Sequence, residues 1–185
     1  MVFEAIDSEK FDVTFFEIVT MIAFLQFEAK KVEYAVLECG MGGRLDATNV
    51  IEKPEVCAIT SIGYDHIEIL GSTLEQIASE KAGIIKHGVP CVIGPTVTQD
   101  AVFMRAKEMD AKLIQVTRKN YRKANKEIVD HMIDLLGIPI TPEARAKGLD
   151  SEQPCRLEKV PKENFAHLHD EAEGPVIYLD VCHNP

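Results

Sequence analysis

Tyr34-Ala35-Val36-Leu37-Glu38-Cys39-Gly40-Met41-Gly42-Gly43-Arg44-Leu45-Asp46-Ala47-Thr48-Asn49 is the stretch on which the fold turns. Its first four residues read as a buried strand, and Glu38 then places a carboxylate at the strand's end, directly before a glycine-rich turn. In open parallel α/β sheets ligands bind just beyond the carboxyl ends of the strands. The stretch therefore predicts an active-site loop, the place for a metal or phosphate ligand.

Outward from this loop, helix and strand signals alternate. Thr14-x-x-Glu17 forms a capping box, and Phe15, Ile18, Val19, Ile22, Leu25, Gln26 and Ala29 follow near helical spacing, which predicts a helix over 14–30. Val56–Thr60 reads as a short strand. Ser72-x-x-Glu75 is a second capping box, opening a helix expected to stop near Gly88. Pro90–Gly94 reads as another strand, followed by a helix over 98–110, a strand Lys112–Val116, a helix over 119–136 and a short helix begun by Thr141-Pro142. Such alternation implies an α/β fold, a mostly parallel sheet with helices on both faces. From Glu152 to Gly174 the pattern gives way to charged and histidine-bearing sequence, read as an exposed excursion before a last strand, Val176–Leu179.

The 185 residues, 46% hydrophobic, suffice for one domain with a real core. A net charge of −10 argues against a general nucleic-acid binder. The charge is uneven: between Arg105 and Lys126 stand eight Lys/Arg against two Asp/Glu, which serve either as a solvated helix face or as a polyphosphate or polyglutamate contact. Cys39, Cys57, Cys91, Cys155 and Cys182 include no C-x-x-C pair, a pattern of reduced thiols rather than a disulfide frame or zinc site. The N-terminal residues form neither a secretory signal nor an arginine-rich transit peptide, and no apolar run has the length of a membrane span. The expected location is the cytoplasm, with a mitochondrial form if a targeting segment precedes Met1.

Several polar residues stand out. Lys81 lies at i+7 from Leu74, within the apolar stripe of Leu74, Ile77, Ala78, Ala82 and Ile85, so it either snorkels or is paired. Glu38 and His66 each fall at or shortly beyond the end of an expected parallel strand and can face one crevice. Magnesium prefers hard oxygen ligands, which suits Glu38 better than a histidine nitrogen. Gly40, Gly42 and Gly43 fail the G-x-G-x-x-G pattern because Leu45 stands where its last glycine is needed, which leaves close backbone approach as their role.

Five ordered segments, Thr14-Phe15-Phe16-Glu17, the Leu37–Asn49 loop, Thr60-Ser61-Ile62-Gly63-Tyr64-Asp65-His66, Glu80-Lys81-Ala82-Gly83-Ile84 and Asp180-Val181-Cys182-His183-Asn184-Pro185, resemble folylpolyglutamate synthase and dihydrofolate synthase of the Mur ligase superfamily. The resemblance implies a P-loop-NTPase-like central ATPase domain, incomplete, over 1–175, and the first strand of a truncated C-terminal domain over 176–185. The family's phosphate loop of the G-x-x-x-x-G-K-[ST] kind occurs nowhere in the sequence.

The resemblance further implies an ATP-dependent ligase that adds L-glutamate to a folate or dihydropteroate, using ATP and Mg²⁺, monomeric at full length, without nucleic-acid or membrane partners. It gives Glu38, His66 and a carbamylated Lys81 to the metal, Thr14, Phe15, Arg44, Leu45 and Asp46 to the pterin-bearing substrate, Asn125 to adenine, Arg156 to the phosphates and catalysis, and Asp180 and His183 to ribose and phosphate. Lys81 is the other residue it marks as catalytic. Val181 and Cys182 depart from the glycine and alanine usual there, and the spacing from Arg156 to Asp180 is longer than usual. Two alternatives remain open: a non-catalytic nucleotide- or folate-binding remnant or partner subunit, and a cell-wall amino-acid ligase of the same superfamily.

Overall fold

Three short strands organise the molecule, the middle one buried along its whole length. In the computed structural model, which describes residues 12–151 and the strand residues 158–159 and 178–179, β1 (Cys57–Ile59), β2 (Cys91–Ile93) and β3 (Leu113–Gln115) form a parallel sheet in that spatial order. Cys57 lies opposite Cys91, and Cys91 opposite Leu113. Successive side chains of a strand point to opposite faces. Cys57, Ile59, Cys91 and Ile93 accordingly face one core, and Ala58 and Val92 face the other.

The helices divide the same way. The first face is covered by α3 (Leu74–Ala82) through Ile77, Ala78 and Ala82 and by α4 (Asp100–Glu108) through Val102 and Ala106; Leu70 of the one-turn helix α2 (Ile67–Leu70) joins them. The second is covered by α5 (Tyr121–Leu136) through Ala124 and Ile128. The expected parallel sheet with helices on both faces is thus found.

Helix ends follow local chemistry. In α1 (Phe15–Lys30) the Thr14 hydroxyl accepts from the Glu17 amide at 3.2 Å and the Thr14 amide donates to the Glu17 carboxylate at 2.7 Å. Hydrogen bonds from the Thr14 amide and hydroxyl hold the Glu17 carboxyl below its usual range. The helix ends in a Schellman-type pair of bonds, Val32 N–H to Phe27 O and Lys31 N–H to Glu28 O, with Lys31 in the left-handed region.

Three expectations are corrected. The box that opens α3 is Thr73 with Gln76, one residue later than Ser72 with Glu75. Glu75 turns instead to the next helix, accepting the amides of Asp100 and Ala101 at 3.2 Å each, where the α4 cap residue Gln99 makes no side-chain cap of its own. A carboxylate there satisfies two orphan amides and the positive end of the helix dipole. Next, α3 stops at Ala82 rather than near Gly88, because Gly83 is pressed against the Arg44 backbone and the chain leaves the helix through three-residue turns at Ile84 and Ile85.

The third correction concerns Tyr34–Leu37. This run is not a strand: among the described residues nothing pairs with it, and Val36 is 95% exposed. An apolar run expresses a tendency to be covered, but a strand exists only where a neighbour supplies the ladder bonds. On α1, Phe15, Phe16, Val19, Met21, Ile22 and Leu25 are exposed as well.

Burial pushes the Cys57 thiol up to about 11 and the Cys91 thiol up to about 12, and Cys39, Cys57 and Cys91 are unbridged, in line with the expected free thiols. No helix among the described residues is long and apolar enough to cross a membrane.

The chain divides into two compact units, Met1–Ile138 and Pro139–Pro185. The second holds α6 (Pro142–Leu149), opened by Thr141 as cap with Pro142 in the first turn, and an antiparallel pair of β4 (Glu158–Lys159) with β5 (Tyr178–Leu179). β4 lies within the stretch read as an irregular excursion; its partner β5 belongs to the expected last strand. The rest of 152–174 falls outside the described residues.

Candidate functional site

The glycine loop is built by close packing. A Cβ on Gly40 would meet the Phe16 ring at 2.8 Å; one on Gly42 would meet Leu70 at 2.8 Å; one on Gly43 would meet Ile84 at 2.8 Å and the carbonyls of Glu80 and Lys81 at 3.0 Å. Gly42 also has φ +64°, a conformation that side-chain-bearing residues rarely adopt. The loop is therefore wedged among α1, α2 and the end of α3, which is the close backbone approach expected of these glycines.

The segments that bear the candidate metal residues all adjoin this wedge. Glu38 leads into the loop, His66 heads the helix whose Leu70 lies on Gly42, and Lys81 stands in the last turn of α3, whose carbonyl abuts Gly43. Lys81 is half-buried, and its charge together with that of Glu38 acts on the Cys39 thiol. Desolvation is the main cause that raises that thiol; the Thr48 hydroxyl, at 3.6 Å from the sulfur, and Lys81 oppose it. His66 has φ 48°, and its Nε2 lies 3.7 Å from Asp65 Oδ1. A non-glycine residue in this conformation is uncommon, and strained backbone gathers at functional sites. Among the described residues no three His, Cys, Asp or Glu side chains cluster as a metal cage. Of the three candidates only Glu38 and His66 carry lone pairs as they stand, since a lysine ammonium has none.

Arg44 is held from below. Its Nε lies 3.1 and 3.2 Å from the two Glu80 carboxylate oxygens, its Nη2 2.9 Å from Oε1, and its amide donates to Glu80 O at 2.8 Å. Asn49, which sequence reasoning did not single out, donates its side-chain amide to both Arg44 O at 3.1 Å and Gly83 O at 3.2 Å, and Lys86 Nζ donates to Asn49 O at 3.2 Å. Glu80, also not singled out, lies next to Lys81 in the quoted segment; its pairing with a residue 36 positions earlier gives no local signal.

Asp46 caps the 3-10 turn Ala47–Val50: its carboxylate accepts from Met41 N–H at 2.9 Å, Thr48 N–H at 2.9 Å and the Thr48 hydroxyl at 2.6 Å. Burial pulls this carboxyl upward, but hydrogen bonds from Thr48, Met41 and Gly40 outweigh it and hold the group below its ordinary 3.8. A depressed value stabilises the fold above pH 3.8, and the benefit is lost as pH falls through the folded-state value. Asp46→Asn is expected to cost about 1–2 kcal/mol at pH 7 and to lose less on acidification than the unchanged chain, as read by urea melts at pH 7 and pH 3. Equal losses with acid in both proteins would refute this role.

Of the other substrate candidates, Thr14 is spent on the helix cap, while Phe15 and Leu45 are 82% and 79% exposed. Asn125 lines a separate cavity of about 200 Å³, with Thr60, Ser61, Pro95, Thr96, Lys119, Tyr121 and Ala124. It lies just past the carboxyl ends of β1 and β2, where an α/β sheet places its ligands. Arg156, Asp180 and His183 lie outside the described residues.

With this geometry in view, the comparisons with known proteins are direct. The dihydrofolate synthase/folylpolyglutamate synthase of Bacillus subtilis is 35% identical over 218 aligned residues, which cover 98% of this chain and 49% of that protein. A solved FPGS–AMPPCP–folate complex superposes with a TM-score of 0.84 at 28% identity, covering 99% of this chain and 52% of that one. A bifunctional folylpolyglutamate synthase/dihydrofolate synthase with Mn, AMPPNP and L-glutamate bound gives 0.79 at 30% identity, covering 99% and 48%. The chain thus spans about half the length of these relatives. The Mur ligase middle domain model matches residues 4–134, from ahead of α1 almost to the end of α5 and so across the whole parallel sheet and the loop wedged beside it, and this chain belongs to that family.

Proposed function

We propose that this chain is the central ATPase part of an ATP-dependent ligase that adds L-glutamate to a folate, with dihydropteroate as a second possible acceptor. The observation that carries the reading is the wedge itself, in which the glycine loop that follows Glu38 packs against the carbonyls of Glu80 and Lys81 and ties Arg44 to Glu80. The folate-, nucleotide- and glutamate-bound relatives support it. In the reaction a substrate carboxylate attacks the γ-phosphate of ATP and ADP leaves. The glutamate amino group then displaces phosphate from the acyl phosphate, forming the amide and giving up a proton.

Glu38, His66 and a carbamylated Lys81 would hold Mg²⁺. Two or three side chains are enough for an ion that keeps waters and shares the nucleotide's phosphates. When bound, the ion neutralises charge on the transferring phosphoryl group. Phe15 and Leu45 offer open apolar contacts to the pterin, and Asn125, in a cavity large enough for a base but smaller than the usual 300–1,000 Å³ of a whole-ligand site, faces adenine. Asp46 supports the substrate loop, and Thr14 the helix that bears Phe15. Arg156 meets the phosphates, and Asp180 with His183 the ribose and phosphate. The proposed division is a partial central domain over 1–175 and the start of a C-terminal domain over 176–185. The proposed setting is a monomer at full length, cytoplasmic or mitochondrial, without nucleic-acid or membrane partners.

The sequence contains no G-x-x-x-x-G-K-[ST] string, which favours binding without turnover as the second reading for these 185 residues. Calorimetry with Mg-ATP and with a reduced folate, beside glutamate-dependent phosphate release, tests both. Binding of both ligands with little release is the expected result for this chain, and Asn125→Ala is expected to weaken Mg-ATP by roughly tenfold. A ¹³C carbamate resonance that appears with labelled bicarbonate and disappears in Lys81→Arg is expected for the lysine. Failure to bind either ligand would sink the assignment.

A further inference from the structure

We propose that Glu80 is a positioning residue that aims the free edge of Arg44 at the acceptor substrate and fixes that edge relative to Lys81. The proposal rests on the folate-ligase reading above. Arg44 spends Nε and one side of Nη2 on the Glu80 carboxylate, which leaves Nη1 and the outer side of Nη2 with unspent donors. The arginine side chain is 54% exposed and the glutamate 23%, so the carboxylate lies beneath and the unspent edge lies outward. A planar fork held this way meets planar acceptors, such as a ring carbonyl with its neighbouring ring nitrogen or a carboxylate, without first losing rotamer freedom. Leu45, the next residue, leaves an apolar surface beside it.

The same glutamate ties this edge to the chemistry. Glu80 precedes Lys81 in the last turn of α3, its carbonyl accepts the Arg44 amide, and the carbonyls of both residues lie against Gly43. Asn49 closes the far side by bridging Arg44 O to Gly83 O. The Arg44 backbone is therefore anchored to the turn that carries Lys81, and its side chain swings only by giving up the Glu80 carboxylate. Glu80 itself touches no substrate in this scheme and acts through Arg44.

The test is a double-mutant cycle on the 185-residue chain, with dissociation constants for a reduced folate and for Mg-ATP measured side by side. Glu80→Gln, which keeps the shape and one acceptor, is expected to weaken folate about tenfold and to leave Mg-ATP within about twofold. In an Arg44→Ala background the same change is expected to do almost nothing to folate. Arg44→Lys keeps the charge without the fork and is expected to be as weak as Glu80→Gln, which gives a second route if Glu80→Gln folds poorly. Equal losses for folate and Mg-ATP, or a Glu80→Gln effect undiminished in the Arg44→Ala background, would show a merely structural residue and overturn the proposal. Folate binding that ignores both Glu80→Gln and Arg44→Lys overturns the proposal alone. No folate binding by the unchanged chain overturns the folate reading and this proposal together.

Discussion

Gly94→Ala is expected to abolish the folded state or come close to it, at a cost of roughly 4 kcal/mol or more. A Cβ on Gly94 would collide with the Thr60 carbonyl oxygen and lie 2.8 Å from its carbonyl carbon. Both partners are backbone, at the point where β1 and β2 run out together, so no flexible side chain can yield. Relief requires separating the strands, which breaks the 2.9 Å bond from Gly94 N–H to Ile59 O and opens the core around Ile59 and Ile93. Gly63→Ala is the matched control, since a Cβ there meets nothing within 4 Å, and its effect should stay within about 0.5 kcal/mol. Soluble yield and urea midpoints of the two variants decide the matter; similar midpoints would mean that the strand ends are not this close.

Gly83→Ala is expected to cost about 2–3 kcal/mol and to loosen the substrate loop beyond what the lost stability explains. Gly83 has φ −60° and ψ −14°, which alanine adopts freely, so the penalty is steric alone. The new methyl group would run into Arg44 Cα and Cβ and lie 2.9 Å from Cγ. The loop must then back away from α3, stretching the Arg44 amide bond to Glu80 and the Asn49 bridge to Gly83 O. Hydrogen exchange of residues 41–50, followed with the denaturation midpoint, is the appropriate measurement. Unchanged protection at the Arg44 amide in a folded Gly83→Ala protein would contradict the clamp.

The elements that local chemistry specifies were legible in the sequence. The three parallel strands came from short apolar runs set between helix signals, α1 and α6 from their caps, and α5 from its place in the alternation. Ser72 and Thr73 show where such reading slips. Each is a hydroxyl followed three residues later by an acid or amide, and the choice between them is made by Glu75, which is occupied 25 residues away at the start of α4. The run Tyr34–Leu37 slips differently, because its apolar character is visible and its lack of a partner is not.

The site was legible in part for the same reason. The glycines' close backbone approach was read rightly, but Glu80 and Asn49 became visible only when two segments more than thirty residues apart were seen in contact. Asp46 was read as a substrate contact. Its carboxylate also closes its own loop, with Thr48 and Met41 as partners, which the sequence did not show.

Cys57 and Cys91, side by side on neighbouring strands, make the molecule its own stopwatch. The thiols are buried under α3 and α4, and burial keeps both protonated far above neutral pH, so an alkylating reagent reaches them only while that helix layer is off the sheet. At high reagent concentration the labelling rate counts openings of this core, and at low concentration it weighs the open population. The pair thus reports, residue by residue and without an added probe, how often the centre of this fold comes undone.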